Sequence, residues 1–273
     1  MAHSAEHKLE KLRELLASME SVVVAYSGGV DSSFLLWVVS SVPKLRHLAI
    51  TTDSPTNTGT EVAEAIGLAQ RLGANHRVVA TNELETPGYA ENPVNRCYLC
   101  KQTLYPLCLS VAEAEGFANV IDGVNTDDLG DYRPGLLAAK EFGVRHPLVE
   151  VGLCKDELRE LSRQAGLPTA DKPASPCLSS RFPYGTRITE QRLARVAAAE
   201  AVLVDLGFRE LRVRFVDDSA RVEISSAELH RLTDASLRDR AHTAILATGF
   251  SRVEFSTTPL RSGSLNDVLT ATE

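Results

Sequence analysis

The stretch that decides the fold is Val22-Val23-Val24-Ala25-Tyr26-Ser27-Gly28-Gly29-Val30-Asp31-Ser32-Ser33. It starts as an apolar run, turns at the paired glycines and continues into a second apolar run that follows Ser33. This order predicts a buried strand, a tight loop and the N-terminus of a helix. Glycines let a ligand approach the backbone closely, and the open N–H groups and dipole of a helix N-terminus favour an anion.

The polar residues of this loop fit a nucleotide polyphosphate. Serine hydroxyls donate hydrogen bonds, and Asp31 can hold a magnesium ion bound to the phosphates. The loop is not a Walker A motif, because no lysine follows the glycines. The alternative is a Ser/Gly turn that caps an ordinary Rossmann-like helix. SGGVDSS resembles the PP-loop of the ATP pyrophosphatase superfamily, which implies cleavage of ATP between its α- and β-phosphates. The resemblance implies that ATP contacts Ser27, Gly28, Gly29, Val30, Asp31, Ser32 and Ser33.

Composition limits the classes of protein that remain. The chain has 273 residues, of which 44% are hydrophobic and 24% charged, and its net charge is −7. These values predict a globular protein with one large domain, or a large and a small one. The acidic balance gives no argument for nucleic acid as a partner. No apolar run approaches the roughly 20 residues of a membrane helix, and the amphipathic start is unlike a signal peptide. We therefore expect a cytoplasmic protein without a membrane partner.

Strands and helices alternate through the first part of the chain. Apolar runs predict strands at residues 22–25, 47–52, 76–80 and 118–122, and His146–Leu148 begins a fifth crossing. This alternation predicts an α/β fold with a Rossmann-like parallel sheet, in which ligands bind at the carboxyl ends of the strands.

Two strand ends carry candidate ATP contacts. Thr52 and Ser54 close the second strand, where they contact adenine or ribose or only cap the next helix. The run DGVNTDDLGDYRPG (residues 122–135) follows the fourth strand and includes Asn125 and Asp128. So polar a run at a strand end fits Mg-pyrophosphate and adenosine, and the alternative is a solvated turn with a helix cap.

The pattern changes near residue 187. A helix, two alternating strands that turn at Asp217-Asp218, a helix over residues 229–247 and a last strand at 253–255 predict a small αββαβ unit of the α+β class. We place one domain at residues 1–187 and the other at 188–273. Arg212 and Arg214 share one strand face, which suits a phosphate or carboxylate, although a solvated face explains them equally well.

Three of the five cysteines form the second notable pattern. Cys97 and Cys100 form a C-x-x-C pair, and Cys177 lies in the proline-rich segment DKPASPCLSSRFPYGT. Three thiolates suit a [4Fe–4S] cluster with one iron open to an exogenous ligand. The alternatives are a redox pair with a separate nucleophilic Cys177 near Arg181, or unpaired core cysteines. Cys108 and Cys154 have less claim, though either remains a candidate fourth ligand.

The motifs together resemble the LarE family of ATP-dependent sulfur transferases, which build the nickel-pincer nucleotide cofactor. The resemblance runs from about Val22 to Asn266 and rests on SGGVDSS, NRCYLCK, DGVNTDDLGDYRPG, DKPASPCLSSRFPYGT and RSGSLN. It implies a PP-loop domain of the adenine nucleotide alpha hydrolase-like fold. It also implies that ATP adenylates a carboxylate of pyridinium-3,5-dicarboxylic acid mononucleotide and that sulfur then displaces AMP.

The resemblance also implies roles for individual residues. Cys177 matches the sulfur-bearing cysteine, with Ser180 and Arg181 beside it in the catalytic site. The residues that match polar groups near the substrate phosphate or a metal are Arg212, Arg214, Glu200 and Glu223. Members with only the Cys177 equivalent sacrifice its sulfur and leave dehydroalanine. Members that also carry the C-x-x-C pair hold a cluster that carries a transferable sulfide. This chain has all three cysteines, so we expect the cluster type, supplied by a sulfide source and assembled as a homo-oligomer.

Other functions remain open at this point. A PP-loop tRNA thiolase also uses three cysteines, but no Lys/Arg-rich segment is visible for RNA. An ammonia-using synthetase leaves the cysteines unexplained. A nucleotide sensor of the same fold would bind ATP without releasing pyrophosphate.

Overall fold

The computed structural model describes residues 2–130, 133–261 and 263–267. In this part of the chain the helices are α1 (Ala2–Ala17), α2 (Val30–Ser41), α3 (Gly59–Arg71), α4 (Arg96–Glu115), α5 (Gly135–Glu141), α6 (Pro147–Glu150), α7 (Lys155–Gln164), α8 (Glu190–Asp205) and α9 (Ala235–Ala247). The strands are β1 (Ser21–Ala25), β2 (Arg46–Asp53), β3 (His76–Ala80), β4 (Asn119–Asp122), β5 (Leu211–Val216), β6 (Ser219–Ile224) and β7 (Arg252–Phe255). None of the described helices is long and apolar enough to cross a membrane.

The first four strands form one parallel sheet in the order β3-β2-β1-β4, which confirms the predicted α/β class. Val23 of β1 lies in register with Leu48 of β2 and Val120 of β4. Every residue of β1 is buried, as expected for a parallel strand with helices on both faces of its sheet. Residues of α1, α2, α3 and α7 form one apolar layer with the sheet, and residues of α4 and α5 form the other.

The predicted fifth crossing at His146–Leu148 is wrong. Arg145 makes only an isolated parallel bridge with Ile121, and the chain enters the short helix α6 at Pro147. Proline has no N–H for a sheet ladder, but its fixed φ suits the first position of a helix. The apolar run that imitates a strand here therefore begins a helical turn.

The described residues form two compact units. One contains the described part of residues 1–86 and 95–175, and the other contains residues 87–94 and the described part of 176–273. The boundary that the sequence predicts at residue 187 lies within the second unit and stays a prediction. The second unit has the predicted order α8-β5-β6-α9-β7.

The sheet of the second unit has the order β5-β6-β7, with β5 and β6 antiparallel and β6 and β7 parallel. Asp217 and Asp218 make the hairpin turn with φ values of +47° and +64°, which Asp tolerates better than most residues. The predicted helix over residues 229–247 is interrupted. A 3₁₀ turn at Leu229–Thr233 ends where Asp234 caps α9, because its carboxylate accepts hydrogen bonds from two N–H groups of the next turn.

Candidate active site

The loop after β1 places the hydroxyl groups of Ser27 and Ser32 next to its own backbone. Ser27 Oγ lies 3.1 Å from Ser32 Oγ, and Ser32 Oγ donates to the Gly29 carbonyl at 3.3 Å. The backbone N–H of Ser27 donates to Ser32 Oγ at 3.3 Å. Because α2 starts at Val30, the first N–H groups of that helix have no partner within the helix. The loop therefore presents backbone and hydroxyl donors together, which is the arrangement that a polyphosphate requires.

Two positions around this loop need glycine for steric reasons. Gly28 has a φ of +72°, and a Cβ added there would lie 2.8 Å from the Cβ of Ala65. Gly123 follows β4, and a Cβ on it would lie 2.7 Å from the backbone nitrogen of Ser32. The sequence prediction omitted Gly123 from the site. Its position directly after a strand was the available signal, because a glycine there permits close approach of another backbone.

Asp31 has one engaged and one open carboxylate oxygen. Lys155 Nζ donates to Oδ2 at 2.5 Å. Oδ1 is shielded from solvent and has no hydrogen-bond partner in the described part of the chain. Burial raises the pKa of Asp31, Lys155 acts against that shift, and the charge of Asp128 adds to it. A shielded carboxylate oxygen without a partner fits a hard cation, because Mg²⁺ takes oxygen ligands.

The two lysines at this loop were missed by the sequence prediction. Lys155 is the first residue of α7, where a cation opposes the helix dipole, and that misplacement was a signal of a specific partner. Lys172 Nζ donates to Glu64 Oε2 at 2.7 Å and to the Gly28 carbonyl at 3.3 Å. Lys155 therefore contacts Asp31, and Lys172 contacts Gly28, and both of these partners belong to the loop that would bind the phosphates.

The candidates at the strand ends have mixed surroundings. Ser54 is buried, and its hydroxyl lies 2.8 Å from both Thr56 Oγ1 and Asn57 Oδ1, within its own turn. Thr52 lies next to the end of β2 and is half-buried. On the other strand end, Asp128 accepts a hydrogen bond from the Asn125 N–H at 3.1 Å. These contacts leave Asp128 near Asp31, whose pKa it raises, and they keep Ser54 in a local role.

The cysteines of the first unit differ in exposure. Cys97 and Cys100 lie in the first turn of α4, where an i, i+3 spacing places both on one face, and they are exposed and half-buried respectively. Cys108 is buried, and burial raises its pKa to about 12. The Cys154 sulfur accepts from the N–H of Glu157 and caps α7. The C-x-x-C thiols are therefore better placed for metal or sulfur chemistry than Cys108 and Cys154.

In the second unit, Arg181 stabilises the turn of residues 176–181, which carries Cys177 and is called the Cys177 turn below. Its Nη1 atom donates to the Pro176 carbonyl, to the Cys177 carbonyl at 3.2 Å and to Ser180 Oγ at 3.0 Å. Its Nε and Nη2 atoms donate to the two carboxylate oxygens of Glu200 at 2.9 and 3.0 Å. Cys177 itself is half-buried. A bidentate, buried ion pair of this kind fixes both partners in place.

A second arginine holds the same turn. Arg214 donates to Glu223 Oε2 at 3.0 Å, to the Ser180 carbonyl at 2.8 Å and to Ser264 Oγ at 3.0 Å. Arg212 is buried beside it, and burial together with the charges of Arg181 and Arg214 lowers the pKa of Arg212 to about 10. The unit therefore concentrates positive charge behind the Cys177 turn.

Segment 87–94 also contacts the Cys177 turn. Tyr89 Oη lies 2.8 Å from Ser179 Oγ, and both side chains are fully buried. Asn92 Nδ2 donates to the carbonyls of Phe182 and Pro183 at 3.2 and 2.7 Å. These partners are about 90 residues apart, so local pattern gave no signal for them.

The predicted site residues thus occur as one group in each unit. The first unit brings together the loop residues, Asp31 and Asp128, and it also carries Cys97 and Cys100. The second unit brings together Cys177, Ser180, Arg181, Glu200, Arg212, Arg214 and Glu223. No group of three or more His, Cys, Asp or Glu side chains within the described ranges is arranged to hold a metal ion.

Comparison with known proteins identifies the family. No protein-family profile matches the chain. It is 45% identical over 266 residues to an uncharacterized protein of Synechocystis sp., covering 97% of this chain and 99% of the relative. A probable tRNA sulfurtransferase of Methanothermobacter thermautotrophicus is 25% identical over 156 residues, which is 53% of this chain and 40% of that protein. The pyridinium-3,5-bisthiocarboxylic acid mononucleotide synthase of Lactiplantibacillus plantarum is 37% identical over 257 residues, 93% of this chain and 92% of the synthase, so the chain belongs to the LarE family.

Proposed function

We propose that the chain is an ATP-dependent sulfur transferase that acts on pyridinium-3,5-dicarboxylic acid mononucleotide. In two rounds it would adenylate each carboxylate and replace it with a thiocarboxylate. The observation that carries this proposal is the similarity over nearly the whole chain to a synthase of the bis-thiocarboxylate. The two residue groups support it, because one suits ATP activation and the other surrounds a cysteine.

In the first half-reaction, a substrate carboxylate oxygen attacks the α-phosphorus of ATP. The bond from that phosphorus to the β-phosphate bridging oxygen breaks, and pyrophosphate leaves with the bond's electrons. The Ser27–Ser33 loop would bind the phosphates through its N–H and hydroxyl donors. Lys155 would neutralise the departing pyrophosphate, because its Nζ already lies at the loop on Asp31. Positioning and charge neutralisation are the main contributions that a protein makes to phosphoryl chemistry.

Magnesium fits the surroundings of Asp31. The open and shielded Oδ1 atom has the chemistry of an Mg²⁺ ligand, and Asp128 lies near enough to raise the pKa of Asp31. Asp31, assisted by Asp128, would hold the ion. When bound, the ion would offset the negative charge that builds up on the polyphosphate.

In the second half-reaction, a sulfur nucleophile attacks the acyl carbon of the adenylate. The bond from that carbon to the AMP oxygen breaks, and AMP leaves as the thiocarboxylate forms. Arg181 and Arg214 would keep the Cys177 turn fixed during this step, because both donate to main-chain carbonyls of the turn. In this proposal they are positioning residues.

The sulfur carrier in the proposal is a [4Fe–4S] cluster held by Cys97, Cys100 and Cys177. Residue type and exposure support this choice: the C-x-x-C thiols lie on one accessible helix face, whereas Cys108 is buried and Cys154 caps a helix. Three thiolates leave one iron open, and the bound cluster would supply the transferable sulfide. The described residues do not bring three metal ligands together.

The alternative carrier is the Cys177 sulfur itself. Its thiolate would attack the adenylate to give a thioester, and loss of the cysteine α-proton would break the Cβ–S bond. The products would be the thiocarboxylate and a dehydroalanine at position 177. An external sulfide source, a homo-oligomer and a cytoplasmic location complete the proposal, and light scattering during size-exclusion chromatography tests the oligomer.

Pyrophosphate release tests the function. We expect release with ATP and the pyridinium mononucleotide, none with tRNA, and a strong loss in Asp31→Asn. A matched control is Asp239→Asn, which changes an exposed carboxylate of α9. Release with tRNA alone would favour a tRNA sulfurtransferase, and ATP binding without any release would indicate a nucleotide sensor.

Iron content and protein mass distinguish the two sulfur carriers. Anaerobic reconstitution should load about four irons per chain. Cys97→Ser should lose them, whereas Cys154→Ser should keep them because serine also caps a helix. If iron-free protein is fully active and residue 177 loses the mass of hydrogen sulfide, the cluster proposal is wrong.

A further inference from the structure

The polar face of the small sheet carries Arg221, an arginine that the proposed chemistry does not use. The register of β5 with β6 places Arg212 opposite Glu223 and Arg214 opposite Arg221. Side chains opposite each other in a sheet lie on the same face, so all four share it. The other face carries the buried apolar residues of both strands, Val213, Phe215, Ala220 and Val222.

A cavity of about 340 Å³ opens on this polar face. Arg214 and Arg221 line it from the two strands, and Ser256, Thr258 and Arg261 line it from the segment after β7. This volume is at the lower end of the roughly 300–1,000 Å³ of ligand pockets. The cavity adjoins the Cys177 turn, because Arg214 also donates to the Ser180 carbonyl at 2.8 Å.

Two of the three arginines named around this cavity, Arg214 and Arg261, form ion pairs with carboxylates. Arg214 pairs with Glu223, and Arg261 pairs with Asp267 in an ion pair whose side chains are both more than half exposed. Arg221 is exposed, and its side chain has no ion pair or hydrogen bond in the described part of the chain. The carboxylate beside it on β7, Glu254, pairs with Arg252 at 2.8 Å.

Two arginines directly opposite each other destabilise a sheet unless something offsets their charge. Glu223 offsets Arg214, and Arg221 has no carboxylate of its own. An anion in the cavity would supply that missing charge. Guanidinium groups bind phosphate in a bidentate manner, and the Thr258 hydroxyl adds a donor at the edge of the cavity. The Ser256 hydroxyl already donates to the Thr258 carbonyl at 2.8 Å.

We propose that this cavity binds the phosphate monoester of the mononucleotide substrate, with Arg221 as its main charge partner. The inference rests on the proposed function. The family resemblance places Arg212 and Arg214 near the substrate phosphate. Both are buried, and Arg214 already contacts Glu223 and the Ser180 carbonyl, whereas Arg221 is exposed and would bind the phosphate.

Calorimetric titration tests the inference without relying on turnover. The ligands are pyridinium-3,5-dicarboxylic acid mononucleotide, its dephosphorylated riboside and inorganic phosphate, and the variant is Arg221→Gln. The matched control is Arg240→Gln, which changes an exposed arginine of α9. We expect R221Q to weaken mononucleotide binding roughly 10- to 100-fold, as loss of a charge-assisted contact does, and to leave riboside binding and the KM for ATP unchanged. R240Q should bind every ligand like the wild type.

The outcomes separate this inference from the proposed function. The inference is overturned if R221Q binds the mononucleotide as the wild type does, or if the wild type binds the riboside equally well. A wild-type protein that releases no pyrophosphate with the mononucleotide refutes the proposed function. In that event, phosphate binding that R221Q abolishes would still support the cavity as an anion site.

Discussion

Gly123 lies outside the Ser27–Ser33 loop, but replacing it with alanine should weaken the use of ATP, because the new Cβ would press on that loop. The new Cβ would lie 2.7 Å from the Ser32 nitrogen and 2.9 Å from its Cα, both backbone atoms that cannot rotate away. Carbon contacts need roughly 3.5 Å, so the loop or the end of β4 would have to move by about 0.8 Å. Overpacking of this kind costs about 1–3 kcal/mol. If the whole cost falls on the ATP-bound geometry, kcat/KM for ATP drops roughly 5- to 150-fold.

The assay is pyrophosphate release at varied ATP, combined with thermal unfolding. Gly67→Ala is the control, because a Cβ there meets nothing within 4 Å and the position lies inside α3. Alanine should stabilise that helix by about 1 kcal/mol and leave the rate unchanged. Wild-type kcat/KM for ATP in Gly123→Ala would refute the steric argument, and equal losses in both variants would show that any extra methyl group near the sheet is harmful.

Three further perturbations test separate contacts. Lys155→Met removes the cation that keeps the pKa of Asp31 from rising further, so the acidic limb of the pH profile for kcat/KM should move to higher pH. Lys140→Met is the control and should leave the limb in place. An unmoved limb in Lys155→Met would contradict the pairing of Lys155 with Asp31. Glu200→Gln leaves Arg181 buried without its counterion and should lower the free energy of unfolding by about 3–5 kcal/mol, measured in urea; a change below about 1 kcal/mol means that the pair contributes little. Burial lowers the pKa of His146, but its hydrogen bond to Asp122 and the negative charges of Asp122 and Glu150 together outweigh burial, and the net shift is upward. Its contribution to stability should therefore be complete below a pH of about 6.5 and fall as pH rises through the raised pKa, so His146→Gln should cost more at pH 6 than at pH 9, unlike His230→Gln.

The strand–loop–helix at residues 22–41 could be predicted because each part has a local cause: apolar runs, paired glycines and polar residues at the helix start. The αββαβ order of the second unit followed in the same way from strand alternation and the Asp217-Asp218 turn. His146–Leu148 failed for a local reason too, since an apolar run after a histidine looks alike in a strand and in a helix that begins with proline.

The site residues that were missed depend on distant partners. Lys155 meets Asp31 across 124 positions, and Lys172 meets Gly28 across 144. Gly123 matters only because its backbone nearly touches Ser32. Arg212 and Arg214 were correctly placed on one face, but sequence gave no means to see that Glu223 and the Ser180 carbonyl already occupy Arg214.

The hydrogen bonds that hold the Cys177 turn bear on how the sulfur donor of this family could change in evolution. Arg181 donates to the carbonyls of Pro176 and Cys177, and Arg214 donates to the carbonyl of Ser180. These three bonds end on main-chain oxygens, so they do not require a particular side chain at position 177, be it a thiol, a metal ligand or the alkene left after sulfur is lost. Under the proposed function, a lineage that changes its sulfur donor through Cys97 and Cys100 would keep the main-chain bonds that present residue 177.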